Sequence, residues 1–190
     1  MTRFVYSTAV SVDGRIADEH HSLDWLFAIE TAGAELPDPL AAAGALVMGA
    51  GTYRWLVEHE ALLSRPERWR EFFGERPVFL FTSGQPEPPA GAELRVRRDV
   101  SAALAEIRAA ARGRDVWIVG GGDLAGQFAD AGALDLVELQ IAPVALGAGP
   151  AVLPRRIDPG RLRLVEARAA GAFALLRYEL DAGRQGPSGR

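Results

Sequence analysis

The stretch WIVGGGDLAGQF, Trp117 to Phe128, places three consecutive glycines between an apolar run and an amphipathic one. The apolar side reads as the end of a buried strand and "DLAGQF" as the opening of a helix. Glycine weakens both kinds of element. Three of them at one junction imply that something approaches the main chain more closely than side chains would permit. Tight packing of the turn is one answer; a ligand seated on bare amides is the other.

Working outward from this junction gives the fold class. "DVSAALAEIRAAARGR" upstream has the spacing of an amphipathic helix, with Gly113 as its stop. "RFVYSTAV" (Arg3 to Val10) is rich in β-branched and aromatic residues and predicts a first strand, followed by a turn at Asp13-Gly14. "LDWLFAIE" (Leu23 to Glu30) predicts a short helix with Ser22 or Asp24 near its N-cap. "GALVMGAGTYRWL" predicts a strand ending at Gly49, a Gly-rich turn, and a helix carrying Tyr53, Trp55 and Leu56. "VFLF" (Val78 to Phe81) is a further strand, and a Pro-rich surface loop follows it. Downstream, "LDLVELQIAPVAL" (Leu134 to Leu146) alternates, and "RLRLVEARAAGAFALLRYEL" predicts an antiparallel pair turning near Ala170-Gly171.

Strands alternating with helices, closed by an antiparallel pair, define an α/β fold: a mostly parallel central sheet with helices on both faces. A single domain over residues 1–180 is expected, with a flexible polar tail at 181–190. In such sheets ligands sit beyond the carboxyl ends of the strands. The glycine clusters at 49–51 and 120–122 both fall there, as do Thr82 and Ser83.

Composition removes several chemistries. The 190 residues contain no cysteine, and all 21 basic residues are arginine. Disulfides, thiolate metal sites, cysteine nucleophiles, Schiff-base lysines and the Walker A lysine are therefore excluded. A net charge of −4 without a long basic run speaks against nucleic acid or an anionic membrane as partner. No apolar run approaches the ~20 residues that span a bilayer. No signal peptide is evident before Asp13, so a cytoplasmic location is expected. His20-His21 finds no third ligand at useful spacing, and no metal site is expected. No GxSxG elbow is present, which disfavours a serine hydrolase.

At both glycine clusters, bare backbone amides lead into a helix start, where about half a positive charge and outward-pointing donors favour an anion. Gly121, Gly122 and Asp123 lead into "LAGQF"; Gly49, Gly51 and Thr52 lead into "YRWL". Two such mouths on neighbouring strands suit a pyrophosphate. Neither cluster matches GxGxxG with an acidic residue ~20 positions later, so no Rossmann fingerprint is present.

In order, "STAVSVDGRIAD", "ALVMGAGTYRWL", "VFLFTSGQP", "WIVGGGDLAGQFADAGALDLVELQIAPVALGAGP" and "LVEARAAGAFALLRYEL" resemble the dihydrofolate reductase superfamily. The likeness covers nearly the whole chain to Leu180 and is greater to the bacterial RibD C-terminal-like branch, the riboflavin-pathway reductase domain and its stand-alone relatives. The resemblance implies a dihydrofolate reductase-like three-layer sandwich, NADPH as cofactor, and a homodimer acting on a small molecule. By position, Gly120, Gly121, Gly122, Asp123, Leu124, Ala125 and Gly126 resemble the loop and helix start that receive the pyrophosphate, including a glycine pair often joined by a cis peptide. Gly49 and Thr52 resemble the second phosphate mouth, Thr82 and Ser83 the hydroxyls near the adenosine 2′-phosphate, and Ala9, Ile16 and Ala17 the lining of the nicotinamide.

Three features depart from the family pattern. Ala50 stands where dihydrofolate reductases have an arginine for the 2′-phosphate, with Arg54 one helical turn on as the substitute. Val119 stands where riboflavin reductases have an acidic residue against the substrate ribose. Their "ADDP" segment is replaced by "RWLVEHE". Asp24, in "SLDWLF", is the candidate proton donor, since a carboxyl in a partly apolar pocket could serve a hydride acceptor; its alternative is a carboxylate complementing a helix start. Trp25 beside it is the candidate to flank a flat substrate ring. Asp13 reads as a turn residue, and Arg97-Arg98 and Arg155-Arg156 as solvated pairs, a substrate phosphate being the other use for one of them.

The activity implied is an NADPH-dependent reductase acting on a heterocyclic or ribosylaminopyrimidine compound, 5-amino-6-(5-phosphoribosylamino)uracil reductase-like. The alternatives are a reductase of another pterin-like or carbonyl compound, and an NADP-binding sensor without turnover.

Overall fold

The computed structural model describes residues 1–181. The expected tail at 181–190 lies outside the described residues apart from Asp181. Among the described residues eight strands form one sheet: β1 (Phe4–Ser11), β2 (Ala43–Gly49), β3 (Val78–Phe81), β4 (Leu94–Arg97), β5 (Asp115–Gly120), β6 (Leu134–Ala142), β7 (Leu162–Ala170) and β8 (Phe173–Leu180). Their order across the sheet is β4-β3-β2-β5-β1-β6-β8-β7. The six strands from β4 to β6 are parallel, and β8 and β7 complete the sheet antiparallel.

The helices are α1 (Asp24–Phe27), α2 (Pro39–Ala42), α3 (Ala50–His59), α4 (Glu67–Phe73), α5 (Val100–Ala110) and α6 (Gly122–Asp130). Period-two alternation sends successive strand residues to two separate cores. Ala45 and Val47 of β2 join Phe4, Ile118, Ile107 and Phe128 beneath α5 and α6. Leu46 and Met48 join Tyr53, Trp69 and Phe73 beneath α3 and α4. Phe128 lies with its ring centroid 5.2 Å from that of Phe4 and is fully buried, which contributes roughly 2–3 kcal/mol.

The expected helix over Leu23–Glu30 contracts to the four residues of α1. Its N-cap, Leu23, offers no side-chain cap, while the Ser22 hydroxyl accepts from the Asp24 amide. The alternating run expected to reach Leu146 stops at Ala142, because Pro143 has no amide hydrogen to continue a ladder. Three of these elements, α2, α4 and β4, have no counterpart in the sequence reading. In α4, Trp69 and Phe73 carry the packing. In β4, Arg95 and Arg97 lie over the Phe79 ring at 5.3 and 5.8 Å, so arginine stems replace apolar cover at this sheet edge.

The sheet order sets two helix starts side by side. Neighbouring strands β2 and β5 are followed by α3 and α6, which pack on opposite faces. In folds of this topology a crevice opens between two such strands, at the carboxyl edge of the sheet.

Candidate functional site

Gly49 ends β2 and caps α3, and Gly121 caps α6 immediately beyond β5. The Gly121 carbonyl accepts the Ala125 amide at 3.1 Å, so the amides of Gly122, Asp123 and Leu124 precede the first intrahelical bond. The Gly120–Gly121 peptide is cis.

A β-carbon built on each glycine sorts the cluster. At Gly122 it would lie 2.3 Å from the Ala151 carbonyl oxygen and 2.5 Å from that of Val152. At Gly126 it would meet the Arg155 side chain at 2.7 Å, and at Gly120 the Thr52 hydroxyl at 2.8 Å. The protein's own atoms fill the β-carbon space at these three positions, with main-chain oxygens at Gly122 and side chains at Gly120 and Gly126. At Gly121, by contrast, the nearest neighbour is the Ile16 Cδ1 at 4.0 Å; at Gly51 nothing stands within 4 Å, and at Gly49 all contacts are 3.6 Å or longer. A β-carbon would therefore meet only ordinary contacts or open space at Gly49, Gly51 and Gly121. Of the two reasons the sequence leaves open for this cluster, tight packing accounts for the missing side chains at Gly120, Gly122 and Gly126, where a threonine hydroxyl, main-chain carbonyls and an arginine stem fill the spaces.

Thr52, in the first turn of α3, packs its hydroxyl against Gly120 and so joins the two helix mouths. Ala9, partly exposed, pairs with Gln140 near the carboxyl end of β1. Ile16 and Ala17 sit in the loop after β1. Ile16 faces Gly121, while Ala17 is buried with its carbonyl against Gly149. Leu124 and Ala125 are buried in the core beneath α6, leaving their amides as the groups near the mouth.

The loop 11–18 is stitched to the loop 143–152. Val12 donates to Val144, Ile16 to Pro150, and Val152 to Gly14, at 2.8–3.0 Å. Asp13 is the knot. It accepts from the Ser11 hydroxyl at 2.6 Å and, across the two loops, from the amides of Leu146 and Gly147 at 3.0 and 2.7 Å. The Ser11 bond and the Leu146 amide hold its carboxyl down at about 2. The turn residue of the sequence reading is thus also an inter-loop latch.

At the far end of the crevice, Thr82 and Ser83 follow β3. The Thr82 hydroxyl accepts the Gly84 amide at 3.1 Å, and Ser83 is exposed. Arg98 reaches the Ser83 carbonyl at 3.4 Å, whereas Arg97 is taken up by Glu106. Arg54 is exposed on α3 with no hydrogen-bond or ion-pair partner among the described residues. Tyr53 donates to the Glu87 carbonyl at 2.5 Å, pinning the Pro-rich loop to α3; burial pushes its phenol up to about 12. Neither Tyr53 nor Arg98 was singled out for this site from the sequence, because each acts through a residue distant along the chain.

Asp24 is exposed in the first turn of α1. The apolar enclosure expected of a proton donor is absent, and the helix-start reading describes the carboxylate. Trp25 is half-buried, and its indole N–H is buried without a partner among the described residues. Asp123 does not point at the α6 amides: it accepts from Gln127 at 2.9 Å and pairs with Arg155 at 3.0 Å.

The RibD C-terminal domain family model matches residues 63–176, more than half of the chain. The chain belongs to the RibD C-terminal domain family, and its fold is that of dihydrofolate reductase. It is 27% identical over 171 residues to the uncharacterized Bacillus subtilis protein YwjB, covering 90% of this chain and 93% of that one. It is 31% identical over 150 residues to the riboflavin biosynthesis protein RibD of Mycobacterium tuberculosis, covering 75% of this chain and 42% of RibD. Among solved structures, a Shewanella sp. PV-4 protein assigned to riboflavin biosynthesis superposes with TM-score 0.75 at 20% identity, over 95% of this chain and 99% of that one. Enterococcus faecalis dihydrofolate reductase, complexed with NADP(H), superposes with TM-score 0.56 at 18% identity, over 94% and 96% of the two chains. No helix among the described residues is long and apolar enough to cross a membrane.

Proposed function

We propose that this chain is an NADPH-dependent reductase, one domain over residues 1–180, that holds the coenzyme along the edge shared by β2 and β5. The observation that carries the reading is the steric sorting of the glycines. The positions where no protein atom crowds the space of a β-carbon, Gly49, Gly51 and Gly121, lie at the starts of α3 and α6, which follow neighbouring strands. Helix amides and a partial positive charge are what a pyrophosphate needs.

In this reading the amides from Gly121 to Leu124, with Thr52 and the amides after Gly49, hold the pyrophosphate. Thr82, Ser83, Arg98 and Arg54 face the adenosine end, and Ala9, Ile16 and Ala17 line the nicotinamide. NADPH, when bound, supplies the hydride; the residues of the chain bind, orient and exclude water. In this reading Trp25 flanks the substrate ring, and its buried indole N–H is a donor without a partner among the described residues.

The substrate proposed first is a ribosylaminopyrimidine of the riboflavin pathway, on the strength of the family. A specific observation favours a second reading, reduction of another heterocycle or carbonyl compound: Val119 packs against the core beneath α3 and presents no acid to a ribose. Assembly as a homodimer in the cytoplasm belongs to the same proposal; β7, at the sheet edge, leaves Leu164 and Val165 exposed.

Titration with NADPH and NADH by quenching of tryptophan fluorescence tests the coenzyme site. NADPH oxidation with 5-amino-6-(5-phosphoribosylamino)uracil and with pterins then tests turnover. Binding with turnover on either class supports a reductase, binding without any turnover supports a sensor, and no binding of either coenzyme ends the proposal.

A further inference from the structure

A carboxylate in the first turn of α6 raises a difficulty for the dinucleotide reading. The same field that favours a phosphate at a helix start favours Asp123. A free carboxylate there would compete for the amides and repel the incoming anion.

The structure removes the conflict by means of a residue 32 positions away. The Asp123 carboxylate is drawn along the helix, one oxygen accepting from Gln127 at 2.9 Å and the other 3.0 Å from the Arg155 guanidinium. Arg155 is itself built in. Its Nε donates to Asp130 at 2.7 Å, its Nη1 to the Pro154 carbonyl at 2.9 Å, and its stem crosses α6 in the groove left by Gly126. Only 25% of its side chain is exposed, against 92% for neighbouring Arg156. The segment that carries it also presses the Ala151 and Val152 carbonyls onto Gly122. Bonds from Gln127 and Arg155 hold the Asp123 carboxyl below its ordinary value, so it stays anionic in the first turn of the helix.

We propose that Arg155 is a positioning residue for the pyrophosphate, a role that rests on the dinucleotide reading of the crevice. It neutralises Asp123 and holds it away from the first-turn amides, leaving the α6 mouth open to phosphate. Gly126 is glycine so that this arginine can lie across the helix.

Arg155→Met keeps the stem over Gly126 and deletes the charge; Arg155→Gln is the second variant should Met disturb folding. Either should weaken NADPH and NADH alike, on the order of tenfold in dissociation constant, because the pyrophosphate is common to both. The loss should shrink in high salt. Adding Asp123→Asn to Arg155→Met should restore affinity to within about twofold of wild type. A purely structural brace would not be rescued in this way. Wild-type affinity in the arginine variants, or a double variant as weak as the single, overturns the proposal while leaving the dinucleotide site standing. A wild-type protein that binds neither coenzyme overturns both.

Discussion

Gly121 and Gly122 are neighbours in one triplet and are bare for opposite reasons. Gly122 faces two main-chain carbonyls that leave no room for a β-carbon, whereas Gly121 faces open crevice with only the tip of Ile16 near it. One is glycine because the protein fills the space; the other leaves the space for something else. Adjacent residues in a single loop thus divide the labour of folding and binding, and a substitution at each should separate the two.

Gly122→Ala should have the largest effect, on folding. Backbone oxygens cannot swing aside as a side chain can, so a cost of about 4 kcal/mol is expected. The thermal midpoint should fall by roughly 10 °C or more, read by circular dichroism. An unchanged midpoint would show that the 151–152 segment yields. Gly121→Ala, the same chemical change one residue earlier, should leave the midpoint within about 2 °C and weaken NADPH about tenfold, since a methyl group then stands where phosphate must approach. Equal affinity would remove the reason given for its bareness.

The two ends of the crevice can be contrasted in the same way. Arg98→Ala should weaken NADPH about fivefold and NADH hardly at all, as loss of one partly solvated charge on the 2′-phosphate would. Arg54→Ala is expected to act in the same direction and less strongly. Parallel loss for both coenzymes would remove these arginines from the 2′-phosphate. Tyr53→Phe deletes only the hydroxyl that pins the Glu87 carbonyl. It should cost NADPH about threefold through a loosened 82–90 loop, with NADH spared; equal effects would assign Tyr53 to packing alone.

The smallest effect concerns the loop latch and shows itself in acid. The Asp13 carboxyl sits at about 2 in the folded protein against an ordinary 3.8. Its contribution to stability is therefore complete above about pH 4 and is lost as pH falls from there toward 2. The difference in denaturant midpoint between wild type and Asp13→Asn should be constant at neutral pH and shrink across that window. A difference that grows in acid would contradict the latch.

Much of the architecture was legible because its signals are local. The β-branched and aromatic residues of Phe4–Ser11, the apolar run before Gly49 and the alternation in Leu134–Ala142 each declare a strand within a few residues. Helix α4 and strand β4 escaped because their evidence is not local. Arg95 and Arg97 look solvated until Phe79 is placed beneath them. The candidate site follows the same rule. That glycines gather at two strand ends is written in the sequence, but which of them a ligand needs is not. The atoms that occupy the missing β-carbons come from Thr52, the 151–152 segment and Arg155, tens of residues away. The pair Arg155-Arg156 looks like one solvated feature, yet Arg156 alone is solvated.

A crystal structure of the chain with NADPH is the direct test of the central claim, that the β2–β5 edge is a coenzyme seat. Pyrophosphate density is expected against the Gly121–Leu124 amides and Thr52, with Gly122 still covered by the 151–152 segment. Density elsewhere, or a crevice that stays empty at saturating coenzyme, would contradict it.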